Sequence, residues 1–232
     1  MLLTCITNVW NNFIMSVLNQ PGKLFEITGI SASGKTRMLS SLSWHENFVV
    51  FDSGSVVQPG FKVSTSRRFL YELKNIFNLI CCKNNLLDLN KIIWLLLASS
   101  RVRSGWLLRV NIFLNCILKF AYHATLKRRA NSDIVFIIDE GVSHIPFLLQ
   151  DQDNSYQVLE EFFTIFSDVL VDIDVAYVGI EGVNTVERLM SRGHKRLKNR
   201  SLKSVKKFDK NNKKTMLLIM KKYSQFKSFE KI

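Results

Sequence analysis

Gly29-Ile30-Ser31-Ala32-Ser33-Gly34-Lys35-Thr36 is the stretch on which the reading of this chain turns. Two glycines with four residues between them, then Lys and Thr, fill every fixed position of the P-loop pattern G-x-x-x-x-G-K-[ST]. Gly29 and Gly34 permit backbone turns that a Cβ would block. The N–H groups of Ile30, Ser31, Ala32, Ser33 and Gly34 then converge on an anion, helped by the positive end of the helix that follows. In that geometry Lys35 meets the β- and γ-phosphates of a nucleotide, Thr36 offers its hydroxyl to Mg²⁺, and Arg37 opens the helix beside them. A Gly/Ser-rich turn with no ligand is the competing reading.

Flanking sequence weighs between the two. Lys23 to Thr28 alternates in the manner of a strand, and Thr36 to Leu42 has helical spacing. Strand, glycine loop and helix is the context that the pattern requires. Downstream, Phe48-Val49-Val50-Phe51-Asp52 and Ile134-Val135-Phe136-Ile137-Ile138-Asp139 are apolar runs closed by an acid, and Asp174 to Ile180 is a further run. Such runs read as buried parallel strands. Between them the spacing predicts helices over Ser66–Cys82, Leu87–Arg101, Trp106–Arg129 and Ser155–Val169. Another begins at Asn184, and a last covers Asp209–Lys222. The expected class is therefore α/β, a mostly parallel sheet with helices on both faces and a helical insert at about 64–130. Residues 1–21 are expected as an N-terminal helix, 22–200 as the main domain, and 201–232 as a basic helical segment.

Ligands of such sheets gather at the carboxyl ends of strands. Asp52 and Asp139 thus fall on the rim that carries the P-loop. Asp139, followed by Glu140-Gly141, suits a Mg²⁺-holding carboxylate opposite Thr36, and equally a turn or capping carboxylate. Glu140 suits polarising a water, orienting an acceptor hydroxyl, or fixing the loop. His144 reads as a loop histidine before it reads as a base. Arg188 and Arg192 stand i, i+4 on a helix, and Arg196 continues the charge past Gly193. Guanidinium groups there match the charge of a transferring phosphoryl group, or simply line a solvated face.

Charge is uneven. The 232 residues carry a net +13, yet residues 188–232 hold 16 of the 32 Lys and Arg against Asp209 and Glu230 alone. The rest is near neutral, with 16 basic and 17 acidic residues. Such a segment must meet anions: nucleotide phosphates, nucleic acid, acidic lipid or an acidic partner. Cys5, Cys81, Cys82 and Cys116 show neither metal spacing nor a disulfide framework, which suits a reducing cytoplasm. The apolar region Ile92–Phe120 is broken by Arg101, Arg103, Arg109 and Lys119, so no transmembrane segment is expected. A homodimer stays open.

The order of these parts resembles the nucleoside and nucleotide kinase group of P-loop proteins, and its thymidylate-kinase-like branch most closely. The resemblance covers about residues 22–200. It implies a P-loop NTPase three-layer sandwich, with ATP and Mg²⁺ as cofactors. Gly29, Gly34, Lys35 and Thr36 would hold the donor nucleotide. Asp52 would face the acceptor. Arg188, Arg192 and Arg196 would lie on a lid at about 184–200. Arg67, Arg68, Arg101 and Arg103 are candidates for the acceptor anion, although surface ion pairs explain such residues equally well. Two departures stand out. Thymidylate kinases carry Asp-Arg where this chain has Asp139-Glu140, and the acceptor-base motif after the second strand is missing. Both point away from thymidylate as acceptor. A closing strand after the lid has only Ser228–Ile232 to form it. The expected activity is transfer of the γ-phosphoryl of ATP to a nucleotide or other small molecule. The alternative is a P-loop ATPase or nucleotide-dependent switch, with Glu140 assisting attack by water and the basic segment touching nucleic acid.

Overall fold

The computed structural model describes residues 24–30, 35, 39, 48–52, 55–56, 87–102, 105–127, 135–150, 155–171, 173–178, 185–192, 201–222 and 226–229. The chain is α/β. Six strands form one sheet: β1 (Leu24–Thr28), β2 (Phe48–Asp52), β3 (Ser55–Val56), β4 (Val135–Asp139), β5 (Asp174–Val178) and β6 (Phe226–Phe229), in the order β3-β2-β4-β1-β5-β6. All pairs are parallel except β2 with the short β3. All five residues of β4 are buried and Phe25 to Thr28 of β1 are buried, as central strands of a parallel sheet require. The sequence reading anticipated β1, β2, β4 and β5 to within two residues at each end. It missed β3, whose two residues follow Asp52 directly after Ser53-Gly54.

The helices among the described residues are α1 (Leu89–Arg101), α2 (Trp106–Lys127), α3 (Ile145–Leu149), α4 (Ser155–Ile165), α5 (Ser167–Leu170), α6 (Thr185–Arg192) and α7 (Leu202–Lys222). Asp88, one residue inside the expected start of α1, caps it by accepting the Lys91 N–H at 2.8 Å. Leu87 before the cap and Ile92 one turn in pack into the same core, a hydrophobic staple. The helix expected over Ser155–Val169 is split at Phe166, whose backbone leaves helical geometry (φ −104°, ψ 13°), giving α4 and α5. A 3₁₀ turn (Val142–His144) and α3, with Pro146 in its first turn, were not anticipated.

The lysine-rich stretch differs from expectation in extent. Its helix starts seven residues before Asp209, and its closing strand is Phe226–Phe229 rather than Ser228–Ile232. β6 pairs with β5 through Val175↔Phe226 to Val178↔Phe229, so this stretch supplies a strand of the sheet. The main core gathers Leu95 and Ala98 of α1, Ile112, Cys116 and Phe120 of α2, Ile145 of α3, Phe162 of α4, Val175 of β5, and Met216 and Ile219 of α7. Phe120 stacks on Phe166 at 5.0 Å between ring centroids, and Phe166 meets Phe162 at the same distance. The expected helices over 1–18 and Ser66–Cys82 lie outside the described residues.

Candidate functional site

The sheet order fixes where a ligand crevice falls. From β1 the chain goes to β2, beyond β4 on one side; from β4 it goes to β5, beyond β1 on the other. Neighbouring strands whose connections leave in opposite directions open a crevice at their carboxyl ends. Register puts Ile27 beside Asp139 and Asp139 beside Asp52, so the ends of β1, β4 and β2 share one rim. Gly29 and Ile30 follow β1 at that rim.

Lys35 closes over the start of its own loop. Its ammonium donates to the Gly29 carbonyl at 2.8 Å and the Ile30 carbonyl at 3.3 Å, and only 7% of the residue is exposed. A carboxylate oxygen of Glu140 stands 3.5 Å away. A lysine so buried keeps its charge only with partners of this kind.

Glu140 is the hub. Its N–H donates to the Ile27 carbonyl at 3.0 Å, carrying β4–β1 pairing one step past the strand end. There the backbone turns into the left-handed region, with φ +54°. A non-glycine residue held so costs about 1–3 kcal/mol, and such strain collects at functional sites. The carboxylate lies between Lys35 and the His144 Nε2, 3.5 Å from each. The ammonium of Lys119, reaching from α2, donates to the Glu140 carbonyl. The nearby His144 ring is the main cause that lowers the Glu140 carboxyl to about 2; burial opposes this, and Lys35 and Lys119 add to it.

A second carboxylate holds this loop from beneath. Glu26, in the middle of β1, is fully buried. It meets the Nδ1 of His123 at 3.1 Å and accepts the Ser143 N–H at 2.7 Å. Burial alone would raise its pKa; the His123 hydrogen bond and charge, with the Ser143 N–H, bring it below the ordinary value. Gly141 passes so close that a Cβ there would lie 2.6 Å from the Glu26 Oε2. Only glycine fits between Glu140 and that carboxylate.

Of the residues expected from sequence, Gly29, Ile30, Lys35, Asp139 and Glu140 come together at the rim. Asp139 is 8% exposed. Asp52 joins them by backbone register. Arg188 is half-buried on α6 and Arg192 ends that helix. Ser31, Ala32, Ser33, Gly34, Thr36, Arg37 and Arg196 lie outside the described residues, as do Arg67, Arg68 and Arg103. Arg101 meets Glu161 at 3.4 Å on the exposed side of α1, an ordinary surface pair. Lys119, Glu26 and His123 were missed as parts of a site. The signal for Lys119 was present as a lone cation in an apolar helix, and for Glu26 as an acid amid a buried strand.

Among the described residues no cluster of three or more His, Cys, Asp or Glu could hold a metal ion. Nor is any helix among them long and apolar enough to cross a membrane. No protein-family model matches the chain, and no curated protein is significantly similar to it.

Proposed function

We propose that this chain is a P-loop phosphotransferase of the three-layer NTPase type, moving the γ-phosphoryl group of ATP to a nucleotide or another small-molecule acceptor. One observation carries the reading. The buried Lys35 ammonium is held at the crevice between β1 and β4 by two loop carbonyls and the Glu140 carboxylate. A triphosphate entering there offers anionic oxygens that outcompete neutral carbonyls for this ammonium. Lys35 then neutralises charge on the transferring group, and the loop N–H groups orient the phosphate chain.

A Mg²⁺ ion fits the donor set. Magnesium takes one or two carboxylates and completes its shell with phosphate oxygens and water, so a single rim carboxylate suffices. Asp139 and Thr36 would hold it, and it would supply charge neutralisation across the phosphate oxygens. Asp52 orients the acceptor hydroxyl and takes its proton. Arg188, Arg192 and Arg196 close over the phosphates and exclude water.

Glu140 already has partners in Lys35 and His144, 3.5 Å from each, which favours a positioning role over activation of water. Its part is to hold Lys35 and the strained turn, with His144 and Lys119.

Calorimetric titration of ATP with and without Mg²⁺, followed by an acceptor screen with γ-labelled ATP, tests the proposal. Micromolar, Mg²⁺-dependent uptake and label transfer to one acceptor class are expected. Folded protein that takes up no nucleoside triphosphate would refute it.

A further inference from the structure

α1 and α2 are joined by four residues and pack against each other. Their inner sides enter the main core through Leu95 and Ala98 of α1 and Ile112, Cys116 and Phe120 of α2. Their outer sides are apolar as well. Leu89, Ile93, Leu96 and Leu97 fall on one stripe of α1, about 100° wide, on the side away from Leu95 and Ala98. Trp106, Leu107, Val110 and Leu114 form a stripe of about the same width on α2. An amphipathic helix has one such stripe and buries it; each of these helices has a second one in water. All eight residues are 45–70% exposed. They are eight of the twelve large hydrophobic residues exposed among the described residues; Tyr156, Val171, Leu202 and Leu217 stand apart on other elements. At these fractions the patch amounts to roughly 900 Å², above the roughly 300–600 Å² of a monomer's largest apolar patch and close to the roughly 800 Å² that each partner gives to a stable interface.

Charge narrows the occupant. Within 89–100 and 106–118 the charged residues are Lys91 and Arg109, and both are engaged off the stripes. Lys91 pairs with Asp168 at 2.6 Å, and Arg109 donates to the Val102 carbonyl at 3.1 Å. A lipid surface calls for basic side chains bordering the apolar stripe, but Arg101 at the end of α1 pairs with Glu161. A foreign protein is selected by a pattern of charge, and this face offers none. Two copies of this chain, each at +13, repel each other except where neither surface is charged. A two-fold axis also brings such a face against its own equal, apolar to apolar. We propose that the outer face of the α1–α2 pair seats a second copy of this chain in a two-fold dimer, the two helix pairs forming a four-helix layer between the copies.

The test measures the mass of the full chain by sedimentation and by light scattering from about 1 to 100 μM. Twice the chain mass of 26.8 kDa is expected, with no growth beyond the dimer, since a two-fold contact closes. Leu96→Asp with Leu107→Asp puts carboxylates into the contact and is expected to weaken association at least a hundredfold. Val171→Asp with Leu217→Asp, on exposed hydrophobics elsewhere, is expected to change it less than threefold. Circular dichroism checks that the variants fold; Leu96→Asn with Leu107→Asn takes the place of the aspartate pair if that pair does not. A wild-type chain that stays monomeric at 100 μM overturns the proposal. So does a dimer that survives the changes at Leu96 and Leu107, or one that the control disrupts equally. Flotation of a monomer with phosphatidylcholine–phosphatidylserine vesicles, lost in the aspartate variant, would assign the face to a lipid surface instead and likewise overturn it.

Discussion

The Ser143 backbone N–H donates to the Glu26 carboxylate at 2.7 Å, joining the middle of the central strand to a loop 117 residues later in sequence. Through this bond the strand that leads into Gly29 and Ile30 also dictates the path of the loop after β4. Lys35 and Glu140 therefore do not find each other independently. Both are carried by segments pinned to one buried carboxylate.

Gly141→Ala tests the pin. The new methyl meets the Glu26 carboxylate, which His123 and Ser143 keep from yielding. A loss of about 1–3 kcal/mol in chemical denaturation is expected. In the background of Glu26→Ala the same change should cost much less, because the obstacle is gone. A strictly additive double-mutant cycle would show that the carboxylate is not what Gly141 accommodates.

Glu140 separates backbone from side chain. Glu140→Gly and Glu140→Ala both lose the carboxylate, but only glycine relaxes a φ of +54°. The glycine variant is expected to be more stable than the alanine variant by about 1 kcal/mol. Equal midpoints in denaturant would mean that the turn relaxes without cost.

Acid stability follows from the same residue. The folded-state pKa of Glu140, about 2, lies below the ordinary 4.5. Its contribution is complete above pH 4.5 and is lost as pH falls from there toward 2. The wild type should therefore lose melting temperature faster than Glu140→Gln across that window. Glu26 is lowered as well, so an acid limb persists in the variant. Parallel melting curves from pH 5 to pH 2 would contradict the assignment.

Lys35→Met keeps the length of the side chain and removes the charge. ATP affinity is expected to fall roughly a hundredfold, about 3 kcal/mol, the scale of one or two charge-assisted hydrogen bonds. Unchanged titration curves would place the phosphates elsewhere.

Asp52→Asn distinguishes transfer from hydrolysis. With the acceptor present, turnover should drop about a hundredfold or more, the usual contribution of a positioned base. ATP affinity and background hydrolysis should stay within a few-fold. An unaltered transfer rate would remove Asp52 from the reaction.

β4 was legible because parallel pairing inside a sheet buries both faces, so Val135–Ile138 stands out as an unbroken apolar run; Phe48–Phe51 is a run of the same kind in sequence. The pattern Gly29–Thr36 stood out because every fixed position of a known motif is filled in the sequence; of it, Gly29, Ile30 and Lys35 fall among the described residues. Glu26 was harder to read. Alternation along β1 sets it with Leu24 and Thr28, and its partners come from residues 123 and 143, which periodicity cannot bring together. Lys119 looked like a charge interrupting an apolar helix, and its partner is a backbone carbonyl, which leaves no trace in side-chain chemistry. The break at Phe166 was hidden because Phe166 continues the apolar stripe even as its backbone leaves the helix. Phe226–Phe229 is a short run containing Lys227 and Ser228, and only its position beside β5 makes it a strand.

The position of β1 in the sheet sets the order in which the protein assembles during its synthesis. Its two lateral neighbours end at Asp139 and Val178, more than a hundred residues behind it. At cellular elongation rates the ribosome takes on the order of ten seconds to make the first of them. Through that interval Phe25 and Ile27 have no sheet to join. The nascent chain thus carries its most central strand unpaired for longer than any other, and this is the segment a holdase is expected to shield.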